Sequence, residues 1–318
     1  MDAIAYALTV AVPATSGTTV EGWTTKTAMP ATRYLHAQSL LADGKVLVTG
    51  GSNVNTVYSY DPSTNAWTTK TAMPATRYLH AQSTLSDGKV LVTGGLVASS
   101  VSADVQSYDP STNAWTTKTA LPANHYIHGQ STLSDGKVLV TGSPGVATVY
   151  SYDPSTNAWT AKTSMPANRY YHGQSLLADG TVLVTGGDVG GSVSSDVRSY
   201  DPSTNAWTAK TALPATRQFQ GQSTLSDGKV LVTGGYVGGA KSADVQSYDP
   251  STNAWTAKTA LPATRYQHKQ SMLSDGTALV TGGRSPAATT TADVQQYDPG
   301  GPILTAGRAA LLGYLAAN

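Results

Sequence analysis

Three ladders of side chains recur along the 318-residue chain, and each carries its own chemistry. The first is Arg33, Arg77, His125, Arg169, Arg217 and Arg265. A guanidinium offers paired N–H donors that match a carboxylate, sulfate or phosphate, so this ladder reads as a row of ligand-binding anion contacts. A structural role competes with it, because Asp104, Asp196, Asp244 and Asp293 lie in neighbouring loops as ready ion-pair partners. His125 interrupts the row, so its unit should differ under either role. The second ladder is Tyr34, Tyr78, Tyr126, Tyr170, Gln218 and Tyr266, with Tyr171 and Phe219 alongside. Tyrosine has a large ring and a polar tip, which suits stacking on a sugar or contact with a protein. Packing between units would use the same ring equally well. The third ladder is His36, His80, His128, His172, Gln220 and His268, each followed two residues later by Gln38, Gln82, Gln130, Gln174, Gln222 or Gln270. Period-2 alternation puts each pair on one side of a strand. Five imidazoles raise the question of a metal, but a His in every unit reads as scaffold that satisfies strand polar groups, and no metal is assigned.

The elements that position these groups follow from a repeat. Tyr-Asp-Pro occurs at Tyr60, Tyr108, Tyr152, Tyr200, Tyr248 and Tyr297, at spacings of 48, 44, 48, 48 and 49 residues. The unit at residues 33–73 reads as four strands. The first covers 36–41 and ends at Asp43-Gly44, a strong hairpin signal. The second is the apolar run at 45–49, ended by Gly50-Gly51, and suits a strand buried on both faces. The third, 56–60, alternates and ends in an Asp-Pro-Ser-Thr-Asn turn. The fourth starts at Trp67 and stops before Pro74. No helical periodicity occurs in the repeat region.

Composition excludes several classes. With no cysteine there is no disulfide, thiolate metal site or cysteine nucleophile. Twenty Lys and Arg against 19 Asp and Glu give a net charge of +1, which is a poor footprint for nucleic-acid binding. No apolar run reaches the roughly 18 residues of a membrane span. Glu21 is the only glutamate, and every aspartate except Asp2 and Asp188 sits in a repeated position. A glycosidase-type carboxylate pair therefore has few candidates.

The paired glycines after the second strand, the Tyr-Asp-Pro, the following Trp and the next Arg together closely resemble the kelch repeat. The resemblance covers residues 22–299; Gly142-Ser143 and Asn124-His125 are its small departures. It implies an all-β kelch β-propeller with four antiparallel strands per blade and the His strand innermost, beside a central channel. Six first strands, six third strands and six Trp strands occur, but Trp23 precedes the first unit and no Trp follows Tyr297. The expectation is therefore a six-bladed ring closed by the N-terminal strand, with residues 1–21 an extension and 300–318 a tail. Residues 303–317 could form a short helix.

In an up-and-down blade, alternate connections share a face. The Asp-Gly and Asp-Pro-Ser-Thr-Asn turns lie on one side and barely vary between units. The connection after the paired glycines and the one before the His strand lie on the other, and carry nearly all the individuality. Binding sites favour loops held on a rigid scaffold, so the variable face is expected to work. Kelch relatives use arginines of this position for acidic ligands, and a lectin-like reading follows: a non-catalytic propeller recognising a glycan or an acidic protein segment, with no cofactor. The alternative is an enzyme resembling the six-bladed kelch sialic-acid epimerases, with Asp188, His125 and His172 as acid–base groups. Copper chemistry of the galactose-oxidase kind needs a cysteine-crosslinked tyrosine and is set aside. Trp67 and its five equivalents should pack between blades, and Lys70 and its equivalents should guard outer edges. The Thr, Ser and Asn content is compatible with export or a cell surface.

Overall fold

Buried strands form where the sequence puts unbroken β-branched and aliphatic runs. In the computed structural model, which describes residues 18–285 and 289–302, every residue of the strand Val46–Thr49 is buried, as in its equivalents Val90–Thr93, Val182–Thr185 and Val230–Thr233. Such a strand needs a neighbour on both faces. It pairs with the inner strand Ala37–Leu40 and with Val57–Asp61, which in turn pairs with Ala66–Lys70. The described residues contain six such four-stranded antiparallel sheets and no helix. The expected helix at 303–317 lies outside the described residues.

The turns explain why their sequence barely changes. Asp61 Oδ1 accepts from the Ser63 N–H and hydroxyl, 2.9 and 2.6 Å away. Asn65 adopts φ +53°, a left-handed conformation Asn tolerates. Its Oδ1 accepts from Tyr60 Oη at 2.8 Å and from the Thr27 N–H at 2.9 Å. The second of these bonds reaches the preceding sheet. Trp67 does the same, lying 4.9 Å from the Tyr60 ring and donating from Nε1 to Thr27 O at 2.9 Å. The apolar core is six equivalent clusters, each shared by adjacent sheets, for example Leu41, Leu47, Val57, Met73, Val90 and Val92.

The sixth sheet is built from both ends of the chain. Gly22–Lys26 pairs antiparallel with Val294–Asp298, setting Trp23 opposite Tyr297 with ring centroids 5.0 Å apart. Thr18–Thr19 also pairs with Gly301–Pro302, so strand pairing runs slightly beyond 22–299. Glu21 stands where the other units have the turn Asn. Its carboxylate accepts from the Thr259 N–H at 2.7 Å and Lys258 Nζ at 3.1 Å. Burial pulls its pKa upward, but these bonds overcome that and hold it at about 2.

Deleting residues 1–28 removes this strand and exposes the Val294–Asp298 edge. The expected product is unfolded or oligomeric by light scattering; a monomer with an unchanged melting temperature would contradict the role given to the strand.

Candidate functional site

The variable connections and the Arg-Tyr segments do share a face. After the paired glycines, Leu96–Val97 pairs with Arg77–Tyr78 and turns back through Ser100–Val101. Asp188–Val189 and Tyr236–Val237 repeat this with Arg169–Tyr170 and Arg217–Gln218. Arg284 bridges Tyr266 and Thr290 in the sixth unit. The glycine before each excursion leaves no room for a side chain: a Cβ on Gly94 would lie 2.3 Å from His125 O.

The arginine ladder is not displayed on this face. Arg33, Arg77, Arg169, Arg217 and Arg265 are at most 4% exposed, and His125 is 1% exposed. Arg77 Nη1 donates to Gly94 O and Asp104 O at 2.8 and 3.2 Å, and Nη2 pairs with the Asp104 carboxylate. Arg169 and Arg217 pair in the same way with Asp196 and Asp244, and Arg265 Nη2 lies 3.5 Å from Asp293. Two units have Thr in place of Asp. There Arg33 donates to Thr56 Oγ1 at 2.6 Å and lies over the Tyr58 ring at 4.7 Å, while His125 Nε2 contacts Thr148 Oγ1 at 3.0 Å. The ladder expected to take anions from solution is committed instead to stapling its own loops. Burying a guanidinium demands partners, and the carboxylate needed was already visible in the loop sequence.

The His and Gln ladder lines the channel between inner strands and ties each sheet to the one before. His80 Nε2 lies 2.8 Å from Thr49 Oγ1, and Gln82 Nε2 donates to Ser39 Oγ and Leu47 O at 2.9 and 3.1 Å. Thr49 donates its own hydroxyl hydrogen to Gln82 Oε1. It therefore accepts from the imidazole, which assigns the Nε2–H tautomer. His36, His128 and His172 meet Thr281, Thr93 and Thr141 in the same way. His268 contacts Thr233 at 2.9 Å, and Gln220 uses its amide nitrogen on Thr185 O at 2.8 Å. No group of three or more His, Cys, Asp or Glu among the described residues is placed to hold a metal. Burial holds the five imidazoles neutral, pushing His172 down to about 3 and the others well below 6.5.

Above them lies a ring that the repeat pattern does not flag. Leu35, Leu79, Ile127, Tyr171, Phe219 and Gln267 all have φ between +56° and +60°. Each N–H donates to the carbonyl of the preceding member, from Leu79 to Leu35 at 3.0 Å round to Leu35 and Gln267 at 3.2 Å. Left-handed backbone costs about 1 kcal/mol or more at each side-chain-bearing residue; the closed hydrogen-bond circuit compensates. This collar rims a cavity of about 60 Å³ on the channel axis. Its side chains are aliphatic in the first three units and aromatic in the fourth and fifth.

The aromatic half extends into an arc. Ring centroids are 5.1 Å apart for Tyr170 and Tyr171, 3.8 Å for Tyr171 and Phe219, 6.1 Å for Phe219 and Tyr236, and 4.8 Å for Tyr236 and Tyr266. Arg284 lies 4.3 Å over the Tyr34 ring and Lys241 5.7 Å over Tyr266. Asp188 flanks Tyr170 at the other end and raises its pKa, after burial. Tyr34, Tyr78, Tyr126, Tyr170 and Gln218 are half-buried; Tyr266 is buried. Tyr236, Lys241 and Arg284 were missed by ladder reading because they sit in the loops, where units are not comparable. A concavity of about 680 Å³ lies on the opposite face at the Asp-Gly turns and includes Thr224, Asp227, Met272 and Tyr297. Its lining carries Lys229 and Lys258 beside Asp227 and Asp249, with Tyr297 as its one aromatic residue, so it has no run of stacked rings like the arc.

The family description for the kelch-repeat domain of KLHDC2, KLHL20 and DRC7 matches residues 136–301, and the kelch motif matches 35–74 and 77–122. A solved structure of YjhT superposes with a TM-score of 0.72 at 17% identity, covering 84% of this chain and 95% of that one. A fungal alcohol oxidase of the AA5 family, solved in complex with copper, gives 0.64 at 21% identity, covering 83% of this chain and 62% of the oxidase. Both likenesses are of fold. No curated protein matches the chain.

Two outcomes follow from the geometry. Arg169→Ala strands the carbonyls of Gly186 and Asp196 and leaves the Asp196 carboxylate with Arg198 as its remaining ion-pair partner, at 3.0 Å. It should lower stability by about 2–4 kcal/mol in urea denaturation, below the full buried-pair penalty because Asp196 is partly exposed; Arg169→Lys should not rescue it. The neutral imidazoles set the acid limb. The unfolded chain protonates them near 6.5 and the folded chain resists until far lower pH, so the unfolded state binds more protons and stability falls as pH drops from about 6.5 toward 3. His128→Gln, copying Gln220, should stay folded and flatten that fall in a melting-temperature series.

Proposed function

Since the chain belongs to the kelch-repeat family, a fold that serves as a binding or interaction scaffold, we propose that it is a closed six-bladed propeller, spanning residues 22–299, that binds a glycan or an acidic protein segment without catalysis. The ligand lies across the channel mouth on the variable face. The observation that carries this reading is the aromatic arc from Tyr170 to Tyr266 with Arg284 beside it. Tyr170, Tyr171, Phe219 and Tyr236 are partly exposed, with the buried Tyr266 behind them, and rings held in place this way offer stacking area at low entropic cost. Arg284 and Lys241 supply positive charge at the arc's edge, a role the buried arginine ladder leaves open. The ladder acts one step removed, by fixing the loops that hold the rings. Tyr34, Tyr78 and Tyr126 extend the contact round the mouth.

Phe219→Ala and Arg284→Ala, screened on glycan and acidic-peptide arrays, should each weaken a wild-type signal about tenfold or more. Melting temperatures should stay near wild type. Unchanged binding in both variants refutes the site, and turnover of a sugar anomer followed by NMR would replace the non-catalytic reading.

A further inference from the structure

One side chain in the channel breaks the repeat in a way nothing above uses. Directly after the His, or after Gln220 in the fifth unit, the six units carry Ala37, Ala81, Gly129, Gly173, Gly221 and Lys269. Lys269 opens the inner strand of the sixth sheet and lines both channel cavities, the one of about 60 Å³ under the collar and a deeper one of about 120 Å³. Its charge also disfavours protonation of all five channel imidazoles, behind their burial and behind at least one other neighbouring group in each case. The lining of both cavities contains no carboxylate. Among the described residues Lys269 joins no ion pair, whereas Arg77, Arg169, Arg217 and Arg265 just above it each have an aspartate. A desolvated ammonium without a counter-charge is unfavourable, and desolvation lowers its pKa.

We propose that the channel is a binding site for one small inorganic anion, held by the Lys269 ammonium within the ring of neutral imidazole and glutamine side chains. The anion supplies the counter-charge the protein omits. The deeper cavity, bordered by Gly129, Gly173 and Gly221, has the volume for it. The large sugars or peptides proposed for the face do not enter this space, so the two sites are independent.

Full-length wild type and Lys269→Ala, the residue the first two units carry, are compared by calorimetric melting. Sodium nitrate is exchanged for sodium gluconate, an anion too bulky for the cavity, at constant ionic strength. Wild type should show a saturable rise of about 2–4 °C and the variant none. In gluconate alone the variant should melt at or above wild type, because an unpaired charge has been removed. An equal nitrate response in both proteins, a flat wild-type response, or a variant that melts lower in gluconate would each overturn the assignment. Lys269→Met, which keeps the stem without the charge, should behave as the alanine variant does; a nitrate response in it would equally overturn the assignment.

Discussion

Every sheet here is completed by its neighbour. A strand such as Val46–Thr49 has no polar face to turn to water, so one sheet alone would leave half its apolar surface exposed. The requirement propagates from unit to unit until the last sheet meets the first, where Met29, Val46, Val48 and Leu279 share one cluster. The remaining contacts elaborate this dependence. Imidazole to threonine near the axis, backbone N–H to Asn at the rim and indole to carbonyl at the outer strand all cross from one sheet to the next. Regular contacts of this kind make the assembly rigid, and rigidity lets short loops hold side chains in fixed positions.

Much of this was legible beforehand because the repeat is self-comparing. The four strands of each unit, the Asp-Gly and Asp-Pro-Ser-Thr-Asn turns and the pairing of residues 22–26 with the end of the chain all follow from patterns within the sequence. Two features resisted. For the arginine ladder the sequence leaves ligand contact and pairing with the loop aspartates both open; spacing cannot say whether a guanidinium turns inward, and burial decides it. The collar was invisible because left-handed backbone at Leu, Ile, Tyr and Phe contradicts local preference. Tertiary hydrogen bonds override that preference, and no residue type announces them.

Departures from the repeat prove as informative as the repeat. Glu21 restores at the chain junction the contact to Thr259 that an Asn makes elsewhere. Ser143 replaces a second glycine in the unit whose strands Val138–Ser143 and Val146–Asp153 run directly into a hairpin, so the missing glycine and the shorter spacing are one change. Gln220 keeps a nitrogen donor facing the preceding sheet where the others have imidazole. Each is a different residue solving the same local problem. Lys269 stands where the other units carry Ala or Gly, and Tyr236 and Arg284 sit in loops where the units are not comparable.

The collar has a consequence for how such a molecule diversifies. Its circuit is made of main-chain atoms alone, so the side chain at each position is uncoupled from the bonds that hold the position in place. Leucine, isoleucine, tyrosine, phenylalanine and glutamine already occupy it within one chain. It works as six interchangeable sockets around an opening, and a new specificity can be written there by exchanging side chains without redesigning the frame.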